Sequence, residues 1–299
     1  MFNHFLIGRT EDARMPLKNA IKAAQVLLTK IQMPILPESA LALQNLFNES
    51  DMPDPLQVQK LISSDPFMAG ELVGISNLLS RSNLSLQKVK DIEGAILRLG
   101  YIQIKNYVLS IVIKEMLSQH KIKSLSQHSQ HIALITADIA RYNKAIRIDE
   151  AYLLGLVHEI GSFALCEFDD AYGESFGSTL AEALTIEENE AALYGTNHSA
   201  LGYVIAHTWN IPGYIAQAIL LHHTLDITMI KSNQVRCSVA LIELAHVLLN
   251  QKELQAKHPD TETYQMLPEA QAYLRTEQTC QKVLELSDVQ LNDIRLNII

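Results

Sequence analysis

The side chains in this 299-residue chain that could do chemistry lie in a few short stretches: Gln127-His128-Ser129, Gly155-Leu156-Val157-His158-Glu159-Ile160-Gly161, Gly195-Thr196-Asn197-His198 and Leu221-His222-His223. A further imidazole, His246, ends Glu243-Leu244-Ala245-His246. Eleven histidines exceed what this length usually carries, and eight fall between His120 and His223. The sharpest pair is His158-Glu159, because an apolar run leads into it. A carboxylate inside a buried pattern is costly unless it is paired or bound to a cation. Imidazole adds a neutral nitrogen to that hard oxygen, a donor set suited to Fe, Mn, Ni or Zn. Mg²⁺ fits less well, since it prefers oxygen ligands.

A single histidine on an apolar helix is more often a hydrogen-bonded core residue than a ligand. That reading is adopted for His131, His207 and His258. A His-His doublet such as His222-His223 is also common at helix ends, where imidazole meets open carbonyls. The stretches taken together, rather than any one of them, point to a cation.

The elements that must position these groups read as helices. Gly and Pro are sparse, at 12 and 9. Apolar residues recur at three and four, and strand-like alternation is hard to find, which predicts an all-α fold. The pattern predicts helices over 15–31, 41–47, 54–64 and 65–79, the last two each opened by an Asp-Pro cap. A polar loop over 80–90 follows, then a helical run over 91–118 broken at Leu99-Gly100. Residues 119–126 read as a connector. The second half is predicted helical over 127–142, 150–168, 180–194, 199–209, 213–222 and 233–251. Residues 252–270 read as looser and 271–299 as terminal helices.

Bulk composition excludes several functions. The formal net charge is −9 and no run of Lys or Arg stands out, so nucleic acid is not an expected partner. Cys166, Cys237 and Cys280 are too far apart for a disulfide framework and read as core residues in a reducing cytoplasm. No stretch reaches the roughly 18 apolar residues of a spanning helix, so no membrane association is expected. Oligomerisation is open, with the apolar stretch Ile111–Ile113 and the C-terminal segment as candidate interfaces.

With these stretches in order, the chain resembles the HDOD family of bacterial signalling domains, a branch of the HD superfamily of metal-dependent phosphohydrolases. The matching pieces span about residues 30–225. In the first half they are Leu36-Pro37-Glu38, Leu61-Ile62-Ser63-Ser64-Asp65-Pro66, Ile75-Ser76-Asn77 and Ala95-Ile96-Leu97-Arg98-Leu99-Gly100. In the second they are His128-Ser129, the Gly155–Gly161 stretch, His198 with Gly202, Trp209-Asn210-Ile211-Pro212, and Ala218-Ile219 leading to His222-His223.

The resemblance implies a two-part helical bundle: an N-terminal helix over 1–30, HDOD helices over 31–120, an HD-like core over 121–250 and an extension over 251–299. It implies a cytoplasmic regulator, mostly non-catalytic, whose partners are other signalling proteins. The alternative is a metal-dependent phosphohydrolase acting on a nucleotide, cyclic dinucleotide or other phosphodiester. His128 matches the first histidine of HD enzymes and His158 that of the His-Asp doublet. His198 and the His222-His223 pair match the intervening histidines of the HD-GYP type. The candidate ligands are therefore His128, His158, Glu159, His198, His222, His223 and His246. Two departures stand out. Glu159 replaces the expected Asp, and its carboxylate sits about 1 Å further out. His246 falls where a late Asp is expected. With one carboxylate left, the set is expected to hold a single transition-metal ion rather than the pair used in phosphoryl displacement. Arg98, Arg141 and Arg147 are the candidate phosphate clamps.

Overall fold

In the computed structural model, described here over residues 16–31, 36–50, 52–79, 87–120, 122–143, 146–175, 180–224 and 227–257, the Asp-Pro pairs open helices as their chemistry dictates. Asp54 accepts the Leu56 N–H at 3.1 Å and starts α3 (Pro55–Ser63). Asp65 accepts the Phe67 and Met68 N–H groups, both at 3.1 Å, and starts α4 (Pro66–Leu78). Each cap is worth about 1 kcal/mol, because it satisfies donors the helix itself cannot. Before them lie α1 (Leu17–Leu28) and α2 (Glu38–Glu49). After them comes α5 (Ile92–Leu99), capped by Asp91 through the Gly94 N–H at 2.7 Å.

The predicted break at Leu99-Gly100 is present. Gly100 takes φ +90°, a conformation open to glycine, and a single 3₁₀ turn then leads into α6 (Ile104–Gln119). Helix α6 is buried along most of its length and packs against α2, α4, α7 and α8. Ile111, Val112 and Ile113 are therefore core residues and not the exposed interface their apolarity suggested. A hydrophobic run marks burial without saying whether its partner is this chain or another.

The second part comprises α7 (Lys123–Asn143), α8 (Ile148–Val157), α9 (Ile160–Phe168), α10 (Asp170–Ser175), α11 (Leu180–Tyr194), α12 (His198–Thr208), α13 (Gly213–Leu221) and α14 (Asn233–Lys257). Helix α7 begins inside the stretch read as a connector, so only residues 120–122 separate it from α6. Helix α14 continues to Lys257, past its expected end. The described residues contain no strand.

Buried polar contacts tie the two parts together. Asn106 on α6 donates to Asp149 at 2.7 Å, and Asp149 is also gripped by Arg147 at 2.6 Å. Gln44 on α2 donates to the Trp209 carbonyl at 2.9 Å. Helix α1 lies on α12, where Thr196 donates to the Ala20 carbonyl at 2.9 Å. Residues Ile148–Phe168 have a mean hydropathy high enough for a membrane span, but 89% of the window is buried inside the protein. Cys166 and Cys237 are buried, as expected; Cys280 and His258 lie outside the described residues.

Candidate metal centre

The stretch 150–168, expected as one helix, is divided at His158-Glu159. Helix α8 ends at Val157, Glu159 takes φ −99° and ψ 15°, and α9 starts at Ile160. The break matters for the site. Neighbouring residues of an intact helix point about a hundred degrees apart, whereas this turn lets His158 and Glu159 serve one cavity. Two close helix crossings bring the other groups to it. A Cβ on Gly161 would lie 1.8 Å from the His198 carbonyl oxygen, so only glycine lets α9 meet the start of α12. A Cβ on Gly155 would lie 2.6 Å from the Ala133 Cα, so α7 and α8 meet backbone to backbone. Thr136 secures that crossing by donating to the Ala151 carbonyl at 2.8 Å.

All seven candidate ligands converge. They form two adjoining groups: Glu159, His198, His222 and His223, and His128, His158 and His246. Within each group, one potential ligand atom per residue lies within 4.8 Å of every other. Glu159 also faces the second group: its Oε1 lies 3.9 Å from His158 Nε2, and 3.8 Å from His222 Nε2 of its own group. By ligand count the cavity exceeds the needs of the single ion expected.

The imidazoles are aimed from behind. Nδ1 of His158, His222 and His246 lies 2.7, 2.6 and 3.0 Å from the carbonyl oxygens of Gly155, Ile219 and Ile242. A carbonyl only accepts, so each Nδ1 carries the proton and each Nε2 presents a lone pair to the cavity. His198 Nδ1 meets the Glu190 carboxylate at 2.8 and 3.0 Å. This is how metal-binding histidines are normally oriented.

The inward nitrogens lie close together. His128 Nε2 is 3.2 Å from His246 Nε2, and His198 Nε2 is 3.0 Å from His223 Nε2 and 3.4 Å from His222 Nε2. Facing lone pairs repel unless a proton or cation lies between them. Two nitrogens bound to one ion at about 2.0–2.1 Å stand roughly 2.9–3.4 Å apart, depending on coordination number. His158 Nε2 is fully buried with no hydrogen-bond partner. An orphaned acceptor at that depth is rare in a protein interior, and a cation would satisfy it. The residues present fit a transition metal.

Electrostatics divide the set. Burial, reinforced by His246 and His128, pushes His158 well below the ordinary imidazole range despite the opposing pull of Glu159. Burial and His128 bring His246 down to about 3. Burial also lowers His223, with His222 and His198 adding to it. His198 goes the other way. Burial opposes its charge, but the Glu190 and Glu159 carboxylates overcome that and raise it to about 10. Burial would raise Glu159, yet His198, His222 and His158 hold it well below the usual carboxylate range. His128, His223 and His246 are half-buried, while His158, His198 and His222 are enclosed.

Several expectations change. Arg98 is engaged with the Gln87 carbonyl at 2.5 Å, Arg141 with Asp138 and the Leu79 carbonyl, and Arg147 with Asp149, so these three are structural. His207 is exposed and edges onto Tyr203, so it is no core residue; its helix turns it outward. His131 is half-buried. Sequence reasoning missed Glu190, Ser162 and Tyr172. Glu190 sits in the acidic run Glu187-Glu188-Asn189-Glu190, which reads as a solvated face, yet it is 2% exposed. Its eight-residue spacing from His198, across Gly195 at φ +70°, was the one available signal.

The HDOD domain family model matches residues 33–225. An HDOD domain protein of unknown function from Geobacter sulfurreducens superposes with a TM-score of 0.64 at 20% identity, over 95% of this chain and 98% of its own. A candidate phosphohydrolase from Shewanella amazonensis SB2B gives 0.59 at 16%, over 92% and 100%. A candidate signal transduction protein from Marinobacter aquaeolei VT8 gives 0.58 at 15%, over 97% and 68%. At these identities the likeness establishes the all-helical fold. No curated protein matches the chain.

Proposed function

We propose that this chain, which belongs to the HDOD family, is a cytoplasmic bacterial signalling protein whose histidine-lined cavity holds a transition-metal ion without turning over a substrate. One observation carries this reading: six of the seven converging ligands are imidazoles and one, Glu159, is a carboxylate. Such a set binds Fe, Mn, Ni or Zn well. Its single carboxylate balances one divalent ion far better than two, so an ion in the all-histidine group binds as a second, weaker step, and the candidate arginines are committed elsewhere. The two groups together join α7, the α8–α9 turn, α12, the end of α13 and α14, and an ion in either group would clamp three of these elements. Helix α8 reaches α6 through Asp149 and Asn106, a route by which occupancy can alter the N-terminal helices.

A second reading is favoured by one specific feature, the position of Glu159 between two adjoining ligand groups. A metal pair there would supply an activated water and charge neutralisation at a phosphate, and the chain would then be a phosphohydrolase. One experiment separates the two. The protein is purified without added metal, its metal content is measured, and hydrolysis of phosphodiesters and phosphomonoesters is assayed with Mn²⁺. Stoichiometric metal with no turnover is expected. Turnover that His158→Ala abolishes would establish the second reading. No bound metal, and no rise in melting temperature with Mn²⁺, Ni²⁺ or Zn²⁺, would sink both, since binding to the folded state must stabilise it.

A further inference from the structure

Behind the ligands lies a closed circuit of polar groups that the metal reading alone does not require. Glu190 on α11 is buried and takes three donors. These are the backbone N–H of His198 at 2.8 Å, His198 Nδ1 at 2.8 and 3.0 Å, and the Tyr172 hydroxyl at 2.6 Å. Tyr172 lies 3.2 Å from Ser162 Oγ, and Ser162 donates to Glu159 Oε2 at 2.5 Å. Glu159 Oε2 is 3.9 Å from His198 Nε2, which completes the ring. Two hydroxyls thus stand behind two carboxylates, one proton committed to each. Both carboxylates are satisfied as anions around His198, whose own positive charge offsets them in the metal-free protein and would be exchanged for that of an entering ion.

We propose, building on the metal reading above, that Glu190 is a positioning residue for a divalent transition-metal ion. It fixes the proton of His198 on Nδ1 and turns Nε2 to the ion. It also brings a second buried negative charge to the group, where Glu159 is the sole carboxylate ligand. Tyr172 and Ser162 join Glu190 to Glu159, so the ligand and its support hold one geometry. Glutamine keeps the size and loses the charge. The Tyr172 hydroxyl can turn to accept from an amide NH₂ and donate to Ser162, so Glu190→Gln tests the charge behind His198 rather than the hydrogen-bond count.

The test uses the full chain stripped with a chelator and titrated with Co²⁺, for wild type, Glu190→Gln and Tyr172→Phe. Glu190→Gln is expected to lose about 10- to 100-fold in Co²⁺ affinity and to shift the visible Co²⁺ absorption bands. Tyr172→Phe removes one hydrogen bond to Glu190 and is expected to lose about three- to tenfold. It serves as the deciding variant if Glu190→Gln does not fold. A folded Glu190→Gln with wild-type affinity and an unchanged spectrum overturns the proposal, even if its melting temperature falls. So does an unaltered Tyr172→Phe where Glu190→Gln cannot be purified. Wild type that binds no Co²⁺ at all overturns the underlying metal reading, a distinguishable failure.

Discussion

The two ligand groups share one cavity and differ in charge. The group of Glu159, His198, His222 and His223 contains one carboxylate and has a second, Glu190, directly behind it. The group of His128, His158 and His246 has no carboxylate of its own, and His158 and His246 are supported by backbone carbonyls. Consequently His198 keeps a bound proton up to about pH 10, while His158 and His246 are held neutral. The same side chain is a proton holder at His198 and a bare lone pair at His158 and His246. What decides is the atom behind Nδ1, which a motif does not display.

The largest effect should come from the residue that faces both groups. Glu159→Gln keeps the size and removes the charge. It is expected to abolish binding at the carboxylate-bearing group, by more than about 100-fold, and to weaken the all-histidine group about tenfold. Calorimetric titration of the chelated protein with Zn²⁺ or Ni²⁺ measures both. If the second step keeps its full affinity, the groups are independent and the comparison reduces to two unrelated sites.

Next come the helix crossings, which separate the groups sterically. Gly161→Ala pushes α9 from α12 and should cost about 3 kcal/mol of stability, at the upper end for overpacking because the obstacle is backbone. It displaces His198 relative to Glu159 and leaves α7, α8 and α14 in place. Gly155→Ala instead drives α7 from α8 and should disturb His128 against His158. Denaturant melts give the stability loss, and metal titrations show which step is lost. A smaller, purely chemical version is His246→Ala, expected to delete the all-histidine step and to change the other by no more than about threefold. Loss of both steps in any one of these variants contradicts the division drawn here.

Much of this was legible in the sequence, for identifiable reasons. The Asp-Pro caps and the Leu99-Gly100 break act locally, so residue type alone locates them. The seven ligands are chemically distinctive and stand out from an apolar background. What escaped depends on tertiary contacts. The break at His158-Glu159 is carried by residues with no helix-breaking signature, and the neighbouring Gly161 is needed for the α12 crossing. Glu190 looks solvated because its run is acidic; its burial comes from the turn that folds α11 back on α12. His207 reads as a core residue in the sequence because helical periodicity does not say which face of α12 meets α1. Ile111–Ile113 shows the converse error, where an apolar run was credited to a partner that turned out to be the chain itself.

The subtlest difference between the groups is in protons, and pH exposes it. His198 in the metal-free protein is raised from the ordinary imidazole value to about 10. The folded state therefore holds a proton that the unfolded chain releases near pH 6.5. The associated stability is fully present below about pH 6.5, declines as pH rises, and is gone once pH passes 10. His158 and His246 are lowered, so they contribute the opposite slope: stability present above pH 6.5 and lost on acidification. An ion entering the carboxylate-bearing group must displace the His198 proton, so its affinity should climb between pH 7 and 10. Binding there should release about one proton per ion. An ion entering the all-histidine group finds His158 and His246 already deprotonated, and its affinity should stay flat over the same range. Calorimetry at pH 8 in two buffers of different ionisation enthalpy reads the proton count directly, and His246→Ala isolates the first group. Equal proton release from both steps would mean that Glu190 and Glu159 do not set the character of His198.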